Sequence, residues 1–372
     1  MDSNAINTLT NQVLLAAFVI SMMFGAIAQR THFCTMGAIS DVVTMGDWSR
    51  MRQWALAMGV AIIGFHSLAT AGLIDPATTL YASNRFIWLS ALVGGLTFGF
   101  GMVLASGCGS KTLIRMGGGN LKSLVVFVVM GLAAFASLKG MTAVLRLATV
   151  DRVAIDFSGN AALPGLLAPL VGWSSATTGL VLALFIGLGL ICWAFARRDF
   201  LKFDNLLAGF GLGALIVITW WLSAHLAFVA EHPDTLQQAF LATNSGKAEA
   251  LSFVAPVAYT LDWLLFFSDK SKVLTLGIVS VFGVVTGSAI YAIFTRNFRW
   301  EGFGGTEDTA NHLTGAVLMG IGGVCAMGCT VGQGLSGIST LSLTSFVAVT
   351  SIVSGAVLAL KYQIWRMERS TQ

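Results

Sequence analysis

Five cysteines occur in the 372 residues, and three of them share a repeated neighbourhood. Cys34 stands in "THFCTMGAISD", Cys108 in "GFGMVLASGCGSKTLIRMGGGN" and Cys329 in "MGIGGVCAMGCTVGQGLSG". Gly25, Gly99 and Gly320 each precede their cysteine by nine positions, and Cys34-Thr35-Met36-Gly37 echoes Cys329-Thr330-Val331-Gly332. A thiol is a soft, polarisable group and a weak hydrogen-bond donor. Thiols in series can hand along a sulfur oxyanion, whose terminal sulfur and oxygens suit both properties, provided that they stay neutral in apolar surroundings. Metal or redox chemistry would need other partners: no two cysteines show metal spacing with histidine and there is no C-x-x-C. Cys325 and Cys329, four apart on one expected helix face, would not form a disulfide while that helix is intact.

The elements that position these residues follow from composition. Hydrophobic residues make up 56% of the chain and charged residues 10%, against about 25% charged in soluble domains, and the mean hydropathy is +0.80. This is an all-α polytopic membrane protein. A span needs roughly 20 apolar residues, and nine stretches qualify, at 10–29, 52–73, 86–107, 121–147, 174–196, 205–229, 273–294, 310–328 and 341–364. Residues 250–267, with Pro256 and Asp262, read as interfacial or re-entrant. The first stretch follows Asp2 without Lys or Arg, which argues against a removable signal peptide. Alternate loops collect Arg30, Arg50 and Arg52; Lys111 and Arg115; Arg197, Arg198 and Lys202; Arg296 and Arg299; and Lys361, Arg366 and Arg369. The other loops hold mixed charge, including Asp75, Asp151, Glu231, Asp234 and Glu249, so the expected topology is N-out and C-in. A ten-helix count would put one tail on the wrong side. The net charge of +4 is scattered among spans rather than gathered in a patch, which excludes nucleic acid as a partner.

Setting Cys108 over Cys329 matches Gly94 with Gly315, Gly99 with Gly320, Gly101 with Gly322, Val103 with Val324, Ala105 with Ala326 and Gly107 with Gly328. Five spans separate the two copies, so they cross in opposite directions: an inverted repeat within one transport domain over 1–372, with halves of about 1–147 and 174–364. Small residues that pack helices closely would account for the glycines but not for a cysteine at both ends. Gly37, Gly107, Gly109, Gly328, Gly332 and Gly334 are expected to break helices where backbone lines a cavity, and helix N-termini would then offer N–H groups to an anion.

The three cysteine segments resemble the signature segments of the YeeE/YedE family of membrane transporters for thiosulfate and related sulfur compounds. The resemblance implies an hourglass-shaped helical protein of the bacterial inner membrane, with Cys34, Cys108 and Cys329 lining the substrate path and no cofactor. It also implies a cytoplasmic sulfur-carrier partner of the TusA type. The thiosulfate branch fits better than the selenium branch. Transport is favoured over a membrane thiol enzyme forming a persulfide, since no base or resolving thiol stands beside either cysteine. Lys111 departs from the family pattern and reads equally as an anion-drawing cation or a loop charge; Cys325, Thr330 and Gln333 join it as candidates on the path. "GSKT" lacks the glycine and strand of a phosphate-binding loop. His66 and His225 are expected to bond a neighbouring helix, Cys192 to pack, Lys139 to snorkel outward and Asp262 to sit at the interface.

Overall fold

A computed structural model describes residues 3–233 and 236–370; Asp2 and Asp234, used in the reading of topology, lie outside them. Apolar stretches become helices because lipid offers no partner to a free backbone N–H or C=O. In chain order the helices are α1 (Ser3–Arg30), α2 (Thr35–Met45), α3 (Ser49–Thr70), α4 (Trp88–Leu104), α5 (Gly109–Gly117), α6 (Leu121–Lys139), α7 (Met141–Ala148), α8 (Leu163–Val171) and α9 (Ser175–Phe195). They continue with α10 (Phe203–Leu226), α11 (Ala255–Leu265), α12 (Leu276–Phe294), α13 (Thr306–Cys325), α14 (residues 330–339) and α15 (Leu343–Ser370). Two antiparallel pairs of two-residue strands clip interhelical loops together, Arg85–Phe86 with Ile155–Asp156 and Phe228–Val229 with Ala239–Phe240.

Among the described residues eight helical stretches are long and apolar enough to cross a membrane, coinciding with eight of the nine expected spans. The ninth, at 310–328, is the helix α13, whose opening turns carry Glu307, Asp308, Asn311 and His312 and so dilute its apolar character. The stretch expected over 121–147 is two helices. Gly140, in extended backbone, ends α6, and α7 follows with Met141, Val144 and Leu145 exposed, as an interfacial helix would present them. The segment at 250–267 is the short helix α11, begun by Pro256 in its first turn.

Close packing through glycine holds the long helices together. α4 lies against both α13 and α15, α13 against α6, α1 against α12 and α3 against α9. Where α4 crosses α13, a Cβ on Gly101 would come within 2.7 Å of the Gly315 carbonyl oxygen and one on Gly315 within 2.6 Å of that of Gly101; Gly322 and Gly94 meet likewise, at 2.7 Å. The pairs Gly94–Gly322 and Gly101–Gly315 exchange under the alignment of Cys108 with Cys329. On α12, Gly283 and Gly287 form a G-x-x-x-G face against Phe18 and Met22 of α1.

Candidate functional site

Three long helices end in the same way, and each ending delivers a cysteine. His32, Ser106 and Met327, two residues before Cys34, Cys108 and Cys329, have φ of 52°, 57° and 54°. The N–H of the residue between, Phe33, Gly107 or Gly328, donates to the carbonyl of Ala28, Met102 or Gly323 at 3.2, 2.8 and 2.8 Å. This is the left-handed Schellman ending of a helix. The left-handed position falls on non-glycine residues, a conformation that costs roughly 1–2 kcal/mol. Gly107 and Gly328, expected as the helix breakers, sit one residue later.

Each cysteine then opens a short helix, α2, α5 or α14. Cys34 and Cys108 have the extended backbone of a helix cap (φ −158°, ψ 125° and φ −79°, ψ 177°). The Cys34 sulfur accepts from the Gly37 N–H at 3.4 Å, and the Cys329 sulfur from the Gly332 N–H at 3.4 Å; Cys108 pairs its sulfur with the Ser110 hydroxyl at 3.3 Å. The repeated spacing of cysteine and glycine is therefore a thiol cap, with the sulfur at the positive end of a helix. Gly37 and Gly332 are confined by tight quarters. A Cβ would meet Arg50 Nη1 at 2.5 Å at the first, and the Ser252 hydroxyl at 2.5 Å at the second. Gly109 opens α5 with only van der Waals neighbours, and Gly334 faces the Trp54 ring.

All three thiols are buried, with Cys34 7%, Cys108 1% and Cys329 0% exposed. Cys108 is the electrostatic neighbour of both Cys34 and Cys329. Lys111, in the first turn of α5, is half-buried, has Cys34, Cys108, Arg115 and Arg50 as charge neighbours, and has no hydrogen bond or ion pair among the described residues. Its neighbours are engaged: Arg115 donates to the Ser106 carbonyl at 3.0 Å and Arg50 pairs with Asp41 at 3.3 Å. Gln333 donates to the Ala326 carbonyl at 2.6 Å, and its amide oxygen has no partner; the Thr330 hydroxyl has none either.

Sequence reasoning missed Thr35 and Trp54. The Thr35 hydroxyl and Trp54 indole N–H, like Thr330, are buried without partners, and all three residues line a cavity of about 50 Å³ that also touches Gly334. Thr35 was findable as the counterpart of Thr330; Trp54 comes from α3 and carries no local signal. A second cavity, of about 260 Å³, has a wall that includes Tyr81, Arg146, Glu249 and Ser252 and reaches Gly328, the neighbour of Cys329.

Five expectations need correction. Cys325 and Cys329 do not share a helix face, because α13 ends at Cys325 and Met327 turns the chain. Cys192 is exposed on α9 rather than packed. His66 is buried edge-on to Phe65, its Nδ1 edge packs closely on Gly179, and its Nε2 has no hydrogen-bond partner among the described residues. His225 is exposed and stacks on Trp221. Asp262 is buried at the end of α11 and pairs with Lys272 at 2.6 Å.

Broken helices that meet at buried groups in the middle of a polytopic bundle are the architecture of membrane transport proteins. A family model described as sulphur transport matches residues 30–358, and the chain belongs to that family. It is 24% identical to the thiosulfate transporter TsuA of Escherichia coli over 92% of both chains. It is also 24% identical to the protein of that name from Spirochaeta thermophila, over 92% of this chain and 97% of the relative. The probable transporter YedE of Escherichia coli is 31% identical over 114 residues, 30% of this chain and 26% of its own.

Proposed function

We propose that this protein is a transporter, not an enzyme, that takes up thiosulfate or a close sulfur analogue into the cytoplasm. Cys34, Cys108 and Cys329 relay the anion by thiol hydrogen bonds. The observation that carries this reading is the threefold repetition of one device: a buried thiol at the N-terminus of a short helix, reached by a broken long helix. Helix N-termini favour the anion, and neutral sulfur offers weak contacts in series, which suits passage better than one tight site. The names of the full-length relatives support the substrate class.

Within this reading the halves 1–147 and 174–364 are inverted repeats, supported by the exchange of glycine pairs between α4 and α13. Cys329 faces outside and Cys34 and Cys108 face the cytoplasm of a bacterial inner membrane, following the distribution of Lys and Arg. Lys111, Thr330 and Gln333 flank the relay, and a cytoplasmic sulfur carrier of the TusA type would receive the anion at the basic inner loops.

Uptake of labelled thiosulfate into proteoliposomes tests the proposal, with sulfate, sulfite and selenium analogues as competitors. Cys108→Ala should abolish uptake and Cys108→Ser should keep part of it, since a hydroxyl still donates; persulfide chemistry would vanish equally in both. Full uptake with all three cysteines changed to Ala would show that the ion goes elsewhere.

A further inference from the structure

We infer that the 260 Å³ outer cavity is a recruitment site for a sulfur oxyanion, held there by Arg146 before it reaches Cys329; this inference rests on the transport reading above. The cavity is walled by residues of the outer loops, among them Tyr81, Asn244 and Ser252, and its floor is Met327 and Gly328. It has room for several waters, and hence for a small tetrahedral anion. Arg146 is the one cation among the residues lining it.

The setting of Arg146 fixes which part of the guanidinium is available. Its Nε edge faces Asp151 Oδ2 at 3.4 Å, and the two side chains are only 17% and 14% exposed. The other carboxylate oxygen of Asp151 accepts from the Ser90 hydroxyl at 2.6 Å, and that hydroxyl lies 2.9 Å from the Cys325 carbonyl oxygen at the end of α13. A chain of Arg146, Asp151, Ser90 and Cys325 thus ties the cation to the helix that delivers Cys329. Asp151 lies on the Nε side as an ion pair without a hydrogen bond, and the terminal nitrogens have no hydrogen bond among the described residues. Two parallel N–H donors in a fixed plane match two oxygens of one anion, a geometry that a lysine ammonium does not reproduce. Cys325 acquires a place here through its backbone carbonyl, which competes with Asp151 for the single proton of the Ser90 hydroxyl, rather than through its thiol.

Arg146 on this reading is a binding residue, and Asp151 and Ser90 are positioning residues. Concentration-dependent thiosulfate uptake into proteoliposomes separates the roles. Arg146→Gln should raise KM about tenfold or more with the maximal rate within about twofold; Arg146→Lys should recover part of the affinity; Asp151→Asn and Ser90→Ala should raise KM by smaller factors. Purified wild-type protein should also gain thermal stability with added thiosulfate, and Arg146→Gln should lose that gain at the same concentration. An unchanged KM in Arg146→Gln, or a fall in maximal rate alone, overturns the inference while leaving transport intact. A wild type that moves no thiosulfate overturns the transport reading itself. If Arg146→Gln does not fold, an unchanged KM in both Arg146→Lys and Asp151→Asn overturns the inference on its own.

Discussion

A thiol is a poor choice for a helix cap, and that is informative about why it is there. Ser, Thr, Asp and Asn lead at this position because a side-chain oxygen accepts well from a backbone N–H, and their loss typically costs about 1 kcal/mol. At Cys34 and Cys329 a sulfur 3.4 Å from the glycine N–H does the same job more weakly. Stability and function should therefore separate at Cys34. Cys34→Ser should melt at or above the wild-type temperature, because the hydroxyl caps better, while thiosulfate uptake falls. Cys34→Ala should lose both the cap and uptake, with stability lower by about 1 kcal/mol. Thermal unfolding in detergent beside uptake reads both quantities, and full uptake by Cys34→Ser would mean that capping is the whole role of the sulfur. Lys111 poses the converse case. It has no hydrogen bond or ion pair to lose among the described residues, so Lys111→Gln should leave the melting temperature unchanged. Its charge lies beside two of the thiols, and losing about 1.4 kcal/mol of attraction would slow uptake about tenfold; an unchanged rate would make it a loop charge.

Helix packing here depends on backbones in contact, and glycine positions differ sharply in what they tolerate. At Gly283 an added Cβ would stand 2.7 Å from the Phe18 carbonyl oxygen, whereas at Gly189, exposed on α9, nothing lies within 4 Å. Gly283→Leu should destabilise by about 1–3 kcal/mol through overpacking between α1 and α12. Gly189→Leu should be neutral or slightly stabilising, since glycine costs about 1 kcal/mol in a helix interior. Equal melting temperatures for the two variants would show that α1 and α12 can separate without cost. The same contrast explains what was legible in sequence. The spans, the cysteine repeat and the matched glycines of α4 and α13 are periodic or local, so they could be read directly. The conformations of His32, Ser106 and Met327 could not, because the left-handed ending is set by the hydrogen bonds of the finished helix rather than by a residue that prefers it. Trp54 and Arg146 were equally hidden, since each joins its site only after helices distant in sequence have packed. Glycine-rich motifs suggested breakers, and Gly37 and Gly332 among those glycines serve instead to admit a neighbour.

In the proposed orientation the two sides of the membrane present different charges, and this yields a test that depends on sidedness. On that orientation Lys111, Arg50 and Arg115 lie toward the inner loops, whereas the cavity proposed as outer is lined by both Arg146 and a carboxylate, Glu249. Burial holds the Glu249 carboxyl above its ordinary value, opposed in part by N–H donors from Ser245, at 2.8 Å, and Asn244. Tyr81, also on the cavity wall, has its phenol pushed up by burial and stays neutral throughout, and Tyr259 completes the titratable lining. The sign follows. At an outer pH above the raised value Glu249 is ionised, repels an incoming anion and offsets Arg146. As outer pH falls through that value, which lies above the usual glutamate range of about 4.3, the carboxyl takes a proton and the cavity gains net positive charge. Acidifying only the outside of proteoliposomes should therefore lower the KM for thiosulfate with little change in maximal rate. Glu249→Gln should show the low KM at every pH, and changing only the internal pH should leave KM where it was. A response to internal pH of equal size, or a pH response surviving in Glu249→Gln, would place the titrating group on the inner half, where His32 stands beside Arg50 and Lys111, and would move the pH-sensitive step from recruitment to release.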